Sequence, residues 1–253
     1  MKRKKFLAMI MALAMMFSLC VGAFADDPAP SNNFEGTATV QIPTIAVSVT
    51  NSATLFINPM GFKVKLDGTA AAVTDADADT TTSKIVSPVN PIVNNSPMQL
   101  SVGVIGSVTP KEGNVALAIN PTPIAADDTK NSVFIYANFG VPTYTAAVEA
   151  SGDTPATPEK YVLASANYNA DTPATLALTT KAPTTPVVVG NVAAATVSGT
   201  GDDAVTTPGR YAFQFLGDCN PNAKNDWNAG DQVTVNLAFT FKPVEASPAP
   251  AGG

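Results

Sequence analysis

The clearest strand signal in the sequence is Val233-Thr-Val-Asn-Leu-Ala-Phe-Thr-Phe241. Apolar side chains alternate with mostly polar ones along it, which predicts a strand with one face on a core and the other in water. Pro243 is expected to end this strand, because proline has no backbone N–H to donate to a neighbouring strand.

Similar short runs recur along the chain, and helical periodicity is nearly absent after the N-terminus. Asn-Pro steps, which favour extended or turn geometry at the asparagine, are expected to mark strand ends. This spacing predicts an all-β fold, an antiparallel β-sandwich of immunoglobulin-like or Greek-key/jelly-roll type, behind an N-terminal signal helix. The other predicted strands are Thr39–Thr50, Ala53–Ile57, Phe62–Leu66, Met98–Ile105, Val115–Ile119, Val133–Phe139, Tyr161–Ala166, Ala174–Thr179 and Tyr211–Leu216.

The N-terminus has the layout of a cleavable signal peptide. Four basic residues at positions 2–5 precede an apolar run, and Ala23-Phe24-Ala25 then offers a small-x-small cleavage site. A retained membrane anchor and a lipid-bearing Cys20 are the weaker alternatives. The predicted organisation is a signal peptide at 1–25, a flexible segment at 26–33, a β-sandwich domain at 34–243 and a disordered Pro/Ala/Gly tail at 244–253.

Charge and composition exclude several classes of function. Removal of the signal leaves 14 − 4 = 10 basic residues against 20 acidic ones, a net charge of −10 that argues against nucleic acid as a partner. The chain has no histidine, which excludes serine triads and histidine-based zinc sites. We therefore expect no enzyme activity. Chemistry with carboxylates alone stays possible in principle, through Glu35, Glu112, Glu149, Glu159 and Glu245.

Asp75, Asp77 and Asp79 form the densest cluster of possible metal ligands. Their spacing matches the start of many calcium loops, but Thr80 and Val86 stand where an EF-hand loop needs glycine and glutamate. We expect a solvated acidic loop within Asp67–Ser83, with calcium as the one alternative cofactor.

Three further residue sets have a structural and a functional interpretation. Cys219 is the single cysteine after the signal, and we expect it to be buried and inert rather than paired with another chain. Lys63 and Lys65 fit the solvent face of a strand better than an amide crosslink to Asn236. Six aromatic residues recur at spacing two and are expected in the core, although a carbohydrate-binding platform would use the same spacing: Phe134, Tyr136, Phe213, Phe215, Phe239 and Phe241.

Several segments together resemble secreted Gram-positive cell-surface proteins that include relatives of WxL-type modules. They are Ile45–Val49, Leu55–Pro59, Ile85–Pro88, Ile92–Pro97, Leu100–Val104, Phe213–Gly217, Trp227 and Val233–Phe241. The resemblance implies a β-sandwich that acts at the cell envelope. It covers the two ends of the mature chain, and Trp227-Asn228-Ala229 departs from the Trp-x-Leu motif.

We accordingly expect a secreted or cell-surface protein with a structural or adhesive role. Its expected partners are the cell envelope or further copies of itself, joined through β-strand edges. The alternative is an extracellular module that binds carbohydrate or depends on calcium.

Overall fold

The structure is a computed structural model that describes residues 44–50, 55–59, 64–65, 80–81, 84–112, 116–124, 131–151, 155–220, 227 and 231–244. Within these residues there are strands, one 3₁₀ turn at Gly201–Asp203 and no α-helix, so the predicted all-β class is confirmed. The strands are β1 Val47–Val49, β2 Phe56–Ile57, β3 Val64–Lys65, β4 Thr80–Thr81, β5 Ile85–Val86, β6 Asn90–Asn94, β7 Leu100–Pro110, β8 Ala118–Ile119, β9 Ser132–Gly140, β10 Thr143–Thr145, β11 Lys160–Val162, β12 Thr175–Leu178, β13 Val187–Val192, β14 Thr196–Ser198, β15 Val205–Thr207, β16 Gly209–Cys219 and β17 Val233–Pro243.

An eight-stranded sheet is organised around β16. It runs in the order β1-β6-β16-β5-β2, with β9 also paired to β16, and with β12 and β8 paired to β9. Every pair in it is antiparallel except the two-residue pair β8–β9. The sheet curls into a half-barrel.

A second sheet has three antiparallel strands in the order β13-β7-β17. The register of β17 on β7 is unbroken from Val233 opposite Pro110 to Pro243 opposite Leu100. The register of β13 on β7 shifts between Val188 and Gly190, which leaves Val189 as an extra, bulged residue.

Three two-stranded ribbons complete the described elements: β3–β4, β10–β11 and β14–β15. The β14–β15 ribbon lies in Thr196–Thr207, which belongs to a different compact unit from Ile45–Ala195 and Pro208–Gly253, and all six of its strand residues are exposed. Thr80–Thr81, which fall in a stretch expected to be loop, instead form β4.

The main core takes side chains from both larger sheets. Val102, Val104 and Val108 of β7 belong to the same buried cluster as Ile135 of β9 and Phe213 of β16. A second cluster covers the opposite face of β9 and consists of Val86, Phe134, Tyr136 and Leu216. Residues 132–139 are therefore buried on both faces, which explains why this strand is almost continuously apolar.

A buried cluster of hydrogen-bonded polar groups joins the ends of several strands. The Asn94 side chain donates from Nδ2 to the carbonyls of Met98 and Ala193, both at 2.8 Å, and its Oδ1 accepts the Ser96 N–H. Ser96 Oγ in turn accepts the Ala46 N–H at 2.7 Å. The buried side-chain atoms of this cluster thus have hydrogen-bond partners, as buried polar groups in proteins usually do.

The expected strand ends are confirmed. Asn58, Asn120 and Asn220 directly follow β2, β8 and β16, and Asn90-Pro91 opens β6. Pro243 is the last residue of β17, whose apolar side chains face the core while Thr234, Asn236, Ala238 and Thr240 are exposed.

Candidate interaction surface

The outer side of β17 is a long strand edge. Among the residues that the structure describes, β17 pairs with β7 on one side and with no strand on the other. Lys111 N donates to the Gln232 carbonyl at 2.8 Å and Val244 N donates to the Gln99 carbonyl at 3.0 Å, so even-numbered residues turn their backbone groups towards β7. The odd-numbered residues therefore direct their N–H and C=O groups to the edge: Val233, Val235, Leu237, Phe239 and Phe241.

This edge carries little charge. Lys242, near its end, is the single ionisable side chain in Val233–Pro243. The apolar side chains of the five edge-directed residues are half-buried, whereas Val102, Val104 and Val108, which lie opposite three of them on β7, are fully buried. The core face of β17 is thus apolar but incompletely covered.

The other edges in the described part of the chain are short or irregular. In the large sheet, β1 has three residues, β12 has four, and β2 and β8 have two each. In the small sheet, the edge strand β13 is interrupted by its bulge. Short strands, bulges and charges are the usual devices that stop edges from pairing, and β17 lacks all three over most of its length.

A second surface feature is a cluster of Tyr144, Tyr161, Glu159 and Arg210. The two tyrosine rings lie across the β10–β11 pair with centroids 5.0 Å apart, and the Arg210 guanidinium carbon lies 3.7 Å from the Tyr144 ring centroid. Both hydroxyls donate to Glu159 Oε2 at 3.4–3.5 Å, the long limit of a hydrogen bond. The buried Nε of Arg210 has no hydrogen-bond partner in the described part of the chain.

The neighbours of Tyr161 in this cluster have opposing effects on its pKa. Burial raises the pKa of Tyr161, although the hydrogen bond with Arg210 acts in the opposite direction. The cluster combines aromatic faces, a cation and a carboxylate, a combination suited to neutral hydroxylated ligands such as sugars. Its simplest structural role is to anchor the β10–β11 ribbon to β16 by a cation–π contact.

The predicted calcium ligands Asp75, Asp77 and Asp79 lie outside the described residues. In the described ranges, no group of three or more His, Cys, Asp or Glu side chains could hold a metal ion. Three other residues named above also lie outside the described residues: Glu35, Glu245 and Lys63. The same holds for the predicted signal peptide at 1–25, for the segment at 26–33 and for all of the tail except Val244. The remaining glutamates, Glu112, Glu149 and Glu159, are exposed.

Cys219 is fully buried, as expected. Burial raises the pKa of its thiol to about 12, with Lys84 lowering it and Asp218 raising it. The thiolate, which is the reactive form, is therefore scarce at neutral pH.

The paired aromatic residues also lie where the alternation predicted them. Phe134, Tyr136, Phe213 and Phe215 are buried, and Phe239 and Phe241 pack half-buried against the main core. None of the four buried rings can serve as an exposed sugar platform. Sequence reasoning instead missed Tyr144, Tyr161 and Arg210, which are far apart in the chain and have no periodic signal.

No known protein family, no curated protein and no solved structure matches the chain at a significant level. In the part of the chain that the structure describes, no helix is long and apolar enough to cross a membrane.

Proposed function

We propose that this protein is exported and serves as a non-enzymatic structural or adhesive component of the cell surface. It associates with copies of itself through a β-strand edge. The observation that carries this proposal is the eleven-residue β17, whose outer side is unpaired in the described residues and almost free of charge. An edge of this kind offers backbone donors and acceptors to a further strand.

The proposal includes a finer architecture, in which the two larger sheets face each other as a β-sandwich. Its support is the common core, to which β7 of the small sheet and β9 and β16 of the large sheet all contribute. Nuclear Overhauser effects between the methyls of Val104 and the ring of Phe213 would support facing sheets. Their absence, in a sample where contacts within each sheet are seen, would contradict the sandwich.

Export rests on the signal-peptide pattern, and envelope association rests on the resemblance to Gram-positive surface proteins. We expect the protein recovered from a Gram-positive secretion host to begin at Asp26. An intact N-terminus in the membrane fraction would favour the retained anchor instead.

Self-association is tested on the mature chain, residues 26–253. Analytical ultracentrifugation at micromolar to submillimolar concentration should show a reversible oligomer, and electron microscopy should show whether it grows further. A monomer over the whole range would contradict the proposal.

A second candidate function, glycan binding, is favoured by the Tyr144–Tyr161–Arg210 cluster. Its test is co-sedimentation of the mature chain with purified Gram-positive cell wall. We expect Tyr161→Ala to release the protein if the cluster binds glycan, while Val162→Ala, on the opposite face of the same ribbon, should not. Equal retention of both variants would exclude this cluster as the glycan site.

Calcium dependence, through Asp75, Asp77 and Asp79, is the remaining alternative. A bound ion would raise the melting temperature as its concentration rises. We expect no such rise with millimolar calcium. An increase of several degrees that disappears in Asp77→Ala would establish calcium as a cofactor.

A further inference from the structure

We propose that two copies of this chain pair through β17, antiparallel and about a two-fold axis at Leu237, so that one six-stranded sheet crosses the dimer. This inference rests on the proposed self-association. It adds that the partner is a second copy, that the strands pair in the register centred on Leu237, and that the assembly is a closed dimer.

The backbone groups of β17 allow this pairing. Each copy directs the N–H and C=O groups of Val233, Val235, Leu237, Phe239 and Phe241 to the free side. In an antiparallel pair centred on Leu237, these residues meet one another, so every edge-directed donor finds an acceptor. Pro243, which has no N–H, falls outside the paired stretch.

The side chains are compatible with the same register. Val233 lies opposite Phe241, Val235 lies opposite Phe239 and Leu237 lies opposite itself. Aromatic with β-branched pairs of this kind stabilise antiparallel strands. Because all of them lie on the core side of β17, pairing extends the half-buried apolar face of one copy across to the other.

The opposite face is neutral at the contact. Asn236 meets Ala238 and Thr234 meets Thr240, and Lys242 lies beyond the pairing, opposite Gln232. A second copy is as acidic as the first, with a mature net charge of −10, so a close approach needs a surface without acidic residues. β17 is such a surface, since it contains no Asp or Glu.

The geometry also fixes the size of the assembly. A two-fold contact uses the same edge on both copies and leaves none for a third copy. The other sheet edges in the described residues are two to four residues long or bulged. The assembly therefore stops at a dimer and does not grow into a filament through these sheets.

The register is tested with single-cysteine variants of the mature chain. Asn236 and Ala238 form a pair without hydrogen bonds between the copies, with Cα atoms about 4.5 Å apart, a spacing that a disulfide can bridge. We expect an equimolar mixture of Asn236→Cys and Ala238→Cys to form crosslinked dimer under mild oxidation. Each variant alone should give several-fold less, and the wild type, whose Cys219 is buried, should give none.

The outcomes separate this inference from the proposed function. If the wild type sediments as a reversible oligomer but the mixture does not crosslink, or if Ala238→Cys alone crosslinks best, the register is wrong while self-association stands. If the wild type stays monomeric and no variant crosslinks, both fail. Filaments in which β17 is crosslinked would contradict the closed dimer.

Discussion

β13 and β17 are the two edge strands of one sheet, yet they differ in how open they are to a partner. β13 has six residues, its register on β7 shifts at Val189, and its Val188 side chain is 55% exposed. β17 has eleven residues in unbroken register. Both strands use β7 as their template, so the difference comes from their own sequences.

The bulge in β13 has an identifiable cause. Val189 turns into the core, and its carbonyl accepts the hydrogen bond of the buried Tyr211 hydroxyl at 2.8 Å. Gly190 follows because a Cβ there would overlap the Tyr211 hydroxyl. β17 has no glycine and no internal proline, so nothing in it bends the strand away from a partner.

The largest expected effect comes from closing the space at Gly190. Gly190→Ala should lower the free energy of unfolding by about 3 kcal/mol, because the added methyl displaces Tyr211 and breaks its bond to Val189. Chemical denaturation of the mature chain measures this loss.

The matched control is the double variant Gly190→Ala/Tyr211→Phe, which removes the hydroxyl that the methyl would meet. The loss caused by Gly190→Ala is measured in two backgrounds, the wild type and Tyr211→Phe. If the Tyr211 contact is the cause, the loss should be about 1 kcal/mol smaller in the Tyr211→Phe background. An equal loss in both backgrounds would assign the strain to the backbone of Gly190, whose φ of 155° is one that residues with side chains rarely adopt, and not to the Tyr211 contact.

A charge on β17 should weaken self-association by a smaller amount. Ala238→Lys places two like charges diagonally across the proposed two-fold axis, and we expect the dimer dissociation constant to rise about tenfold, or about 1.4 kcal/mol. Thr109→Lys is the control, since it adds the same charge to the same face on the neighbouring β7. Equal weakening by both would mean that net charge, and not the β17 edge, controls association.

Alkaline pH should lower the free energy of unfolding through Tyr211, whose hydroxyl donates to Val189 of β13. Burial raises the pKa of Tyr211 to about 12, from an ordinary value of 10. The folded chain therefore holds this proton more tightly than the unfolded chain, and its contribution to stability is complete below pH 10 and is lost as the pH rises towards 12. Unfolding midpoints across this window should fall less steeply for Tyr211→Phe than for the wild type. Parallel slopes would show that Tyr211 does not link pH to stability.

Much of this architecture could be predicted from sequence where apolar residues alternate or run together. β7, β9, β16 and β17 overlap their predicted strands, because each has enough Val, Ile or Phe for a pattern to show. The strands that were not predicted are β4, β5, β6, β10, β13, β14 and β15. β6 contains Pro91 and buried Asn90 and Asn94, whose propensities argue against a strand that tertiary contacts nevertheless hold. β13 contains four valines, but Gly190 and Asn191 interrupt them and no apolar–polar alternation marks the segment.

The surfaces were harder to predict. The alternation in β17 marked it as a strand, but its place at an edge depends on which strands pair, and pairing has no local signal. The Tyr144–Arg210 contact likewise joins residues that are brought together by the β10–β11 ribbon and β16. The burial predicted for Cys219 was correct because a lone cysteine is most often a buried small side chain.

The smallest expected effect is that of salt, and it separates the neutral β17 edge from the acidic remainder of the chain. If residues 1–25 are removed as proposed, each copy has a net charge of −10, and two copies repel each other over distances comparable to the Debye length, about 10 Å at 0.1 M salt and 3 Å at 1 M. Since the proposed contact contains no ion pair, salt screens this repulsion without weakening any attraction. The dissociation constant should fall about threefold between roughly 50 mM and 500 mM sodium chloride. Sedimentation at both concentrations measures it, and a dissociation constant that rises with salt would mean that opposite charges, and not β17, join the copies.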